Sequence, residues 1–258
     1  MWSRRDSGGL EYFAAAPQPR LELAFLTRRG GVSTGPYESL NLSFRVGDDK
    51  ASVEENLRRV RAGLHLPVLA TVRQIHSDAV LQVRDATMSP ETVEADALFT
   101  DRPGVALAVK VADCLPVFVW SRDLRGIGIA HCGWRGTAAG LAENLCRQIS
   151  RRLAVPLPDL CFSLGPCICW QCYTVGADVV AAFDALPDAE QWFRPVANAP
   201  EPKWRLCLRK ANDRLLRGLG LASAPGLELC SRESTGDFFS VRRSSPAGRN
   251  LALITLRF

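Results

Sequence analysis

"VALAVKVADCLPVFVWSRDLRGIGIAHC", residues 105–132, holds three short apolar runs, 105–112, 115–120 and 126–132. Their Val, Ile, Leu and Phe content and the breaker "SRDLRG" read as buried strands joined by tight connections. Upstream, "VLATVRQIH", "AVLQV" and "ADALFT" extend the pattern back to residue 68, with "DRPG" as a further breaker. Downstream the period changes. In "TAAGLAENLCRQISRRL" the residues Leu141, Leu145 and Ile149 recur at helical spacing, and "GADVVAAFDAL" and "RLCLRKANDRLLRGLG" are further helix candidates. Strands are also expected at 161–165, 227–230 and 251–258. Strands in a run with helices after them define an α+β protein rather than a doubly wound parallel one.

The amino-terminal third gives a second set of expectations. Residues 1–20 read as an N-terminal extension, and 21–258 as a single catalytic domain opening on the strand "LELAFL" (21–26). The segment "TRRGGVSTGPYESLNLS" is too rich in Gly, Ser, Thr and Pro for a regular element and reads as a long ordered loop. In "VGDDKASVEENLRRVRAGL" Ser52 is the expected N-cap, with Glu54 and Glu55 in the first turn and closure near Gly63.

Composition narrows the function classes. The net charge of +5 comes from 32 Lys+Arg against 27 Asp+Glu, spread along the chain rather than gathered in a stripe. That favours an anionic small molecule over nucleic acid. No apolar stretch reaches membrane-spanning length, so no membrane partner is expected and the expected address is cytoplasmic. Nine cysteines within apolar runs of a mid-sized chain read as reduced thiols, several of them packing residues.

Only three histidines are available for chemistry. His65 follows a helix C-terminus and reads as structural. His76 and His131 each end a β-rich run, where site residues gather. Asp113 and Cys114 interrupt an apolar segment and require a hydrogen-bond donor or a metal as partner. His76, Cys114 and His131 could therefore supply a three-ligand zinc site with an open fourth position. The same residues also fit a cysteine hydrolase, with Cys114 as nucleophile, His131 as base and Asp113 or Asp96 orienting it. Two further segments stay open. "GPCICWQCY" (165–173) holds Cys167, Cys169 and Cys172 without a second Cys pair at knuckle spacing, so a metal cluster, a redox pair and a pocket-lining loop are all compatible with it. "GWRGTAAG" (133–140) is either an anion-binding turn using Arg135 or a plain strand-to-helix turn.

An ordered series of segments then resembles one family. "TRRGGVSTGPYESLNLS", "RQIHSDAV", "EADALFTDRPGVALAVKVADCLPV", "AHCGWRGTAAGL", "LGPCICWQCYTVGADVVAAF", "FFSVRR" and "GRNLALI" are similar to the laccase-domain, polyphenol-oxidase-like proteins. These are regarded as purine nucleoside phosphorylases and are also called peptidoglycan editing factors. The resemblance implies a layered αββα sandwich in which His76, Cys114 and His131 bind one zinc, with copper as an occupant in vitro. It implies phosphorolysis of adenosine, inosine, guanosine and methylthioadenosine, and deamination of adenosine, so the expected partners are purine nucleosides and phosphate. Arg28, Asn41 and Arg135 are the expected substrate-binding residues. Asp113 is read as a general acid or base or as a support for a ligand. On this resemblance Cys167, Cys169 and Cys172 become loop and packing residues. Departures fall at Thr174, Cys132 and Val241, where relatives usually carry Glu, a small alanine and Tyr.

Overall fold

The computed structural model describes residues 1–84 and 92–258. The decisive strands are apolar on both faces, and the two faces serve different cores. In Val105–Val111, Leu107, Val109 and Val111 point into one core while Ala106 and Ala108 point into another. In Leu115–Ser121, Phe118 and Trp120 join the first of these, and Leu115, Val117 and Val119 join a third. A strand without a polar face must be covered on both sides. Two sheets stacked face to face with helices outside satisfy that demand.

The first sheet has the order Ser3–Ser7, Leu10–Gln18, Leu21–Leu26, Asn250–Leu256, Val105–Val111, Val68–Ala70. The second runs Ala222–Ser223, Leu160–Leu164, Leu115–Ser121, Ile127–Cys132, Ala97–Thr100, Val80–Gln82. Between them lie Leu23, Phe25, Leu107, Val109, Phe118, Trp120 and Ile254. Helix Lys50–Gly63 covers the outer face of the first sheet through Val60, beside Leu10, Leu26 and Leu253. Helices Leu141–Leu153 and Leu208–Gly218 cover the second through Leu145, Ile149, Leu215 and Leu216. The architecture is the α+β, layered αββα sandwich that the sequence and the resemblance imply.

Four local expectations change. Residues 3–18 form a hairpin that pairs with Leu21–Leu26, and Trp2 stacks near Phe118, so the segment expected as an extension is built into the first sheet. The N-cap of the first helix is Asp49, whose carboxylate accepts from the Ser52 N–H at 2.9 Å; Ser52 is the third residue of the helix. Residues 227–230 make only an isolated bridge, Cys167 with Cys230, and "GADVVAAFDAL" is helical only over Ala177–Ala181. The long loop after residue 26 is ordered by buried Asn56. Its amide donates to Ser33 Oγ and to the Ser39 and Asn41 carbonyls, while its oxygen accepts from Val32 N–H. No described helix is long and apolar enough to cross a membrane, and all nine cysteines are free.

Candidate metal centre

The three residues singled out by chemistry meet where the chain passes from one sheet to the other. Val105–Val111 closes in the first sheet, Leu115–Ser121 opens in the second, and Cys114 sits on the turn between them. His131 is carried by Ile127–Cys132 opposite Pro116, and His76 by the loop after the Arg73–Glu94 bridge. One ligand atom from each of His76, Cys114 and His131 lies within 4.8 Å of the other two. The imidazoles pack edge to face, centroids 4.9 Å apart. His76 at φ 61 and Asp113 at φ 88 are left-handed, conformations that cost a non-glycine residue energy and are kept where surrounding structure demands them. Gly133 leaves the necessary room, because a Cβ there would stand 3.0 Å from Cys114 Sγ.

Asp96 is fully buried and organises the cluster. One carboxylate oxygen accepts from the N–H groups of Ile75 and Ser77 and from Ser77 Oγ; the other lies 2.9 Å from His131 Nδ1. The first three bonds fix the loop that carries His76. The fourth leaves His131 Nε2 facing the other two residues. Burial alone would raise the Asp96 pKa, but His131 and the two backbone N–H groups outweigh it and hold it at about 2. Burial would likewise raise the Cys114 thiol, yet the charge and hydrogen bonds of His131 and His76 bring it well below an ordinary thiol. For His131, burial lowers the pKa, and the Cys114 sulfur with Asp96 more than reverses this. Both shifts favour charge on the pair, a thiolate beside an imidazolium whose Nε2 proton a bound metal cation would displace into solvent. Two imidazoles, one thiolate and room for a fourth ligand suit zinc, and copper by the same donors.

The cluster opens on a cavity of about 380 Å³. Gln74, Lys110, Arg45 and Arg249 line it together with the three residues above. Gln74 is held by two bonds of 2.8 Å to the backbone of Lys110, which fastens the His76 loop to the first sheet. The expected substrate-binding residues lie elsewhere. Arg28 donates to the Glu38 carbonyl and stacks on Phe239; Arg135 lies over its neighbour Trp134; neither lines the cavity. Asn41 is wholly buried behind the wall, where its oxygen accepts from the N–H groups of Ser43 and Arg249, both residues that face the cavity. Asp113 is committed as well, accepting from Ser231 Oγ at 2.7 Å and Arg242 N–H at 2.8 Å. It therefore braces the turn before Cys114. In sequence the cationic lining residues are indistinguishable from the other basic residues spread along the chain. Only the packing of Asn250–Leu256 against Val105–Val111 brings Arg249 and Lys110 to one cavity.

The fold and site define a layered α+β protein with a candidate mononuclear metal centre at the crossing between its sheets. The chain belongs to the family described as multi-copper polyphenol oxidoreductase laccase, whose family model matches residues 22–257. A Deinococcus radiodurans protein named purine nucleoside phosphorylase is 37% identical, with 93% of this chain and 91% of the relative covered. Escherichia coli purine nucleoside phosphorylase YfiH is 34% identical over 93% and 96%. The crystal structure of YlmD from Geobacillus stearothermophilus superposes with a TM-score of 0.89 at 30% identity, covering 98% of each chain.

Proposed function

We propose that this protein is a zinc-dependent purine nucleoside phosphorylase. It converts adenosine, inosine, guanosine and methylthioadenosine to the free base and ribose 1-phosphate, and deaminates adenosine at the same centre. The observation that carries this reading is the two-imidazole, one-thiolate cluster opening on a cavity edged by Lys110, Arg45 and Arg249. Zinc held by His76, Cys114 and His131 would supply Lewis acidity beside the substrate. Arg45, Lys110 and Arg249 take the role of phosphate anchors, since cationic side chains in a confined cleft concentrate and orient anions. Asp96 keeps His131 in the Nδ1–H form, so that Nε2 presents its lone pair to the centre. The names of the relatives support the choice of purine nucleosides.

The test is product analysis of metal-loaded protein on inosine and adenosine, with and without phosphate, beside His76→Ala. Hypoxanthine is expected from inosine only when phosphate is present, and His76→Ala is expected to lose both activities. No base release by the metal-loaded wild type sinks the proposal.

A second reading rests on the Cys114, His131 and Asp96 relay, which matches a nucleophile, its base and an orienting carboxylate. It makes the protein a cysteine or metal hydrolase editing cell-wall precursor peptides; release of an amino acid from such a precursor with nucleosides untouched would favour it, and survival of that activity on chelation would select the cysteine mechanism. The oxidase chemistry in the family's description asks for a trinuclear copper cluster and a blue copper site. Three histidines in the whole chain are too few for both.

A further inference from the structure

Cys169 and Cys172 meet Cys230 and Glu233 outside the residues that line the cavity. One ligand atom from each lies within 4.8 Å of the other three. We propose that these four residues form a second metal site that takes one zinc ion in a tetrahedral set of three thiolates and one carboxylate, with a structural role.

The backbone already has the form such a site needs. Cys169–Cys172 is a C-x-x-C turn closed by the Cys172 N–H on the Cys169 carbonyl at 3.1 Å. Cys230–Glu233 repeats the spacing as C-x-x-E, and its turn is closed by the Ser234 N–H on the Cys230 carbonyl at 2.9 Å. The two turns are fastened side by side by the Cys167–Cys230 bridge, with Cys167 N–H donating to Leu229 and Ser231 N–H to Cys167. Cys169 N–H also donates to Cys230 Sγ at 3.3 Å, the kind of backbone bond to sulfur that offsets charge on a thiolate. Cys172 Sγ lies 3.4 Å from Glu233 Oε1, an arrangement that stays favourable only while the thiol keeps its proton or a cation replaces it. Paired knuckles supplying four ligands are the pattern of a closed structural zinc site. Cys167 takes no part. Its side chain is buried in the core beneath the second sheet.

The position explains what the ion would do. Ser231, inside the second turn, donates to Asp113 Oδ1, and Ile168 N–H, beside the first, donates to the Asp113 carbonyl at 2.9 Å. An ion joining the turns clamps both supports of the strained residue that precedes Cys114. Zinc displaces thiol protons on binding, so occupancy rises with pH, and the energy of coordination stabilises the folded chain.

Metal content of protein purified without oxygen tests this. Wild type is expected to hold two zinc ions per chain, with one left in Cys169→Ser/Cys172→Ser and one left in His76→Ala/Cys114→Ala. Cobalt loaded into the latter variant should give a strong sulfur-to-cobalt charge-transfer band and tetrahedral visible absorption. Glu233→Gln alters a single exposed side chain, and its zinc should be lost to a chelator about tenfold or more easily, the effect of removing even an outer partner of a metal. A single zinc per chain that vanishes in His76→Ala/Cys114→Ala overturns the proposal. So does a disulfide among Cys169, Cys172 and Cys230 in the anaerobic protein, or unchanged chelator resistance in Glu233→Gln. Because each pair of substitutions empties a different site, failure here is distinguishable from failure of the catalytic reading.

Discussion

Asp96→Asn is the most informative single change at the centre. The carboxylate receives three donors on one oxygen and faces His131 Nδ1 at 2.9 Å with the other. An amide has one acceptor and one donor end, so it can serve only one side. If the oxygen keeps Ile75 and Ser77, the NH2 points at His131 and drives the imidazole into its other tautomer, placing the proton on Nε2 where a metal must bind. If the amide flips, its NH2 opposes two backbone N–H groups and the His76 loop is released. Losing such a partner typically weakens metal binding by 10- to 100-fold, or about 1.4–2.7 kcal/mol. Loss of one buried bond to a charged group costs stability of roughly 1.5–3 kcal/mol besides. Competition for zinc against a chromophoric chelator reads the first quantity, and denaturant unfolding of the metal-free protein reads the second. Wild-type affinity in Asp96→Asn would refute the claim that this carboxylate sets the tautomer of His131.

Cys114 is expected to be the fastest of the nine cysteines to react with iodoacetamide in metal-free protein, because its neighbours stabilise the thiolate while burial raises Cys132, Cys146 and Cys167. Thiolate forms as pH rises, so its rate profile should reach a plateau below the pH an ordinary thiol requires (about 8.5), and zinc should protect it; peptide mass spectrometry reads both. Gly133→Ala puts a methyl 3.0 Å from Cys114 Sγ at an unstrained φ of −74, so zinc affinity should fall while the far-ultraviolet spectrum stays unchanged. Arg249→Ala should raise the KM for phosphate more than it lowers kcat, and steady-state kinetics with phosphate varied would show the opposite pattern if the residue only shaped the fold. Asn56→Ala removes the bonds of the Val32 N–H and the Asn41 carbonyl, while the Ser39 carbonyl keeps the Ser33 N–H and Ser33 Oγ keeps Asp48, and it should cost roughly 1–3 kcal/mol for each buried group that water cannot reach; equilibrium unfolding measures it.

The layers were legible because strands such as Val105–Val111 and Leu115–Ser121 carry their burial in their composition, and Leu141, Leu145 and Ile149 mark the covering face of a helix. His76, Cys114 and His131 were legible from residue chemistry only as one of two open readings and were singled out by the family resemblance, while their meeting depends on the crossing between sheets. The cationic residues that line the cavity, Arg45, Lys110 and Arg249, were not legible. Arg28 and Arg135 stand in glycine-rich segments that look like phosphate loops, yet Arg28 donates to the Glu38 carbonyl and lies over Phe239, Arg135 lies over Trp134, and neither lines the cavity. The cysteine-rich stretch has no second Cys pair at knuckle spacing, and the turn that meets it carries Cys230 and Glu233 instead. Within residues 1–20, Ser3–Ser7 is an exposed edge that needs no apolar residues, and Leu10–Gln18 carries its burial in alternation, through Leu10, Tyr12 and Ala14.

Asn250–Leu256 lies between Leu21–Leu26 and Val105–Val111, although well over a hundred residues separate it from either in sequence. A nascent chain on the ribosome therefore cannot zip its first sheet until residue 256 is clear of the exit tunnel. Until then both flanking strands expose unpaired edges and apolar faces, the condition in which chains adhere to one another. Premature termination anywhere before Asn250 would yield an aggregation-prone fragment and a substrate for chaperones, rather than a smaller working enzyme.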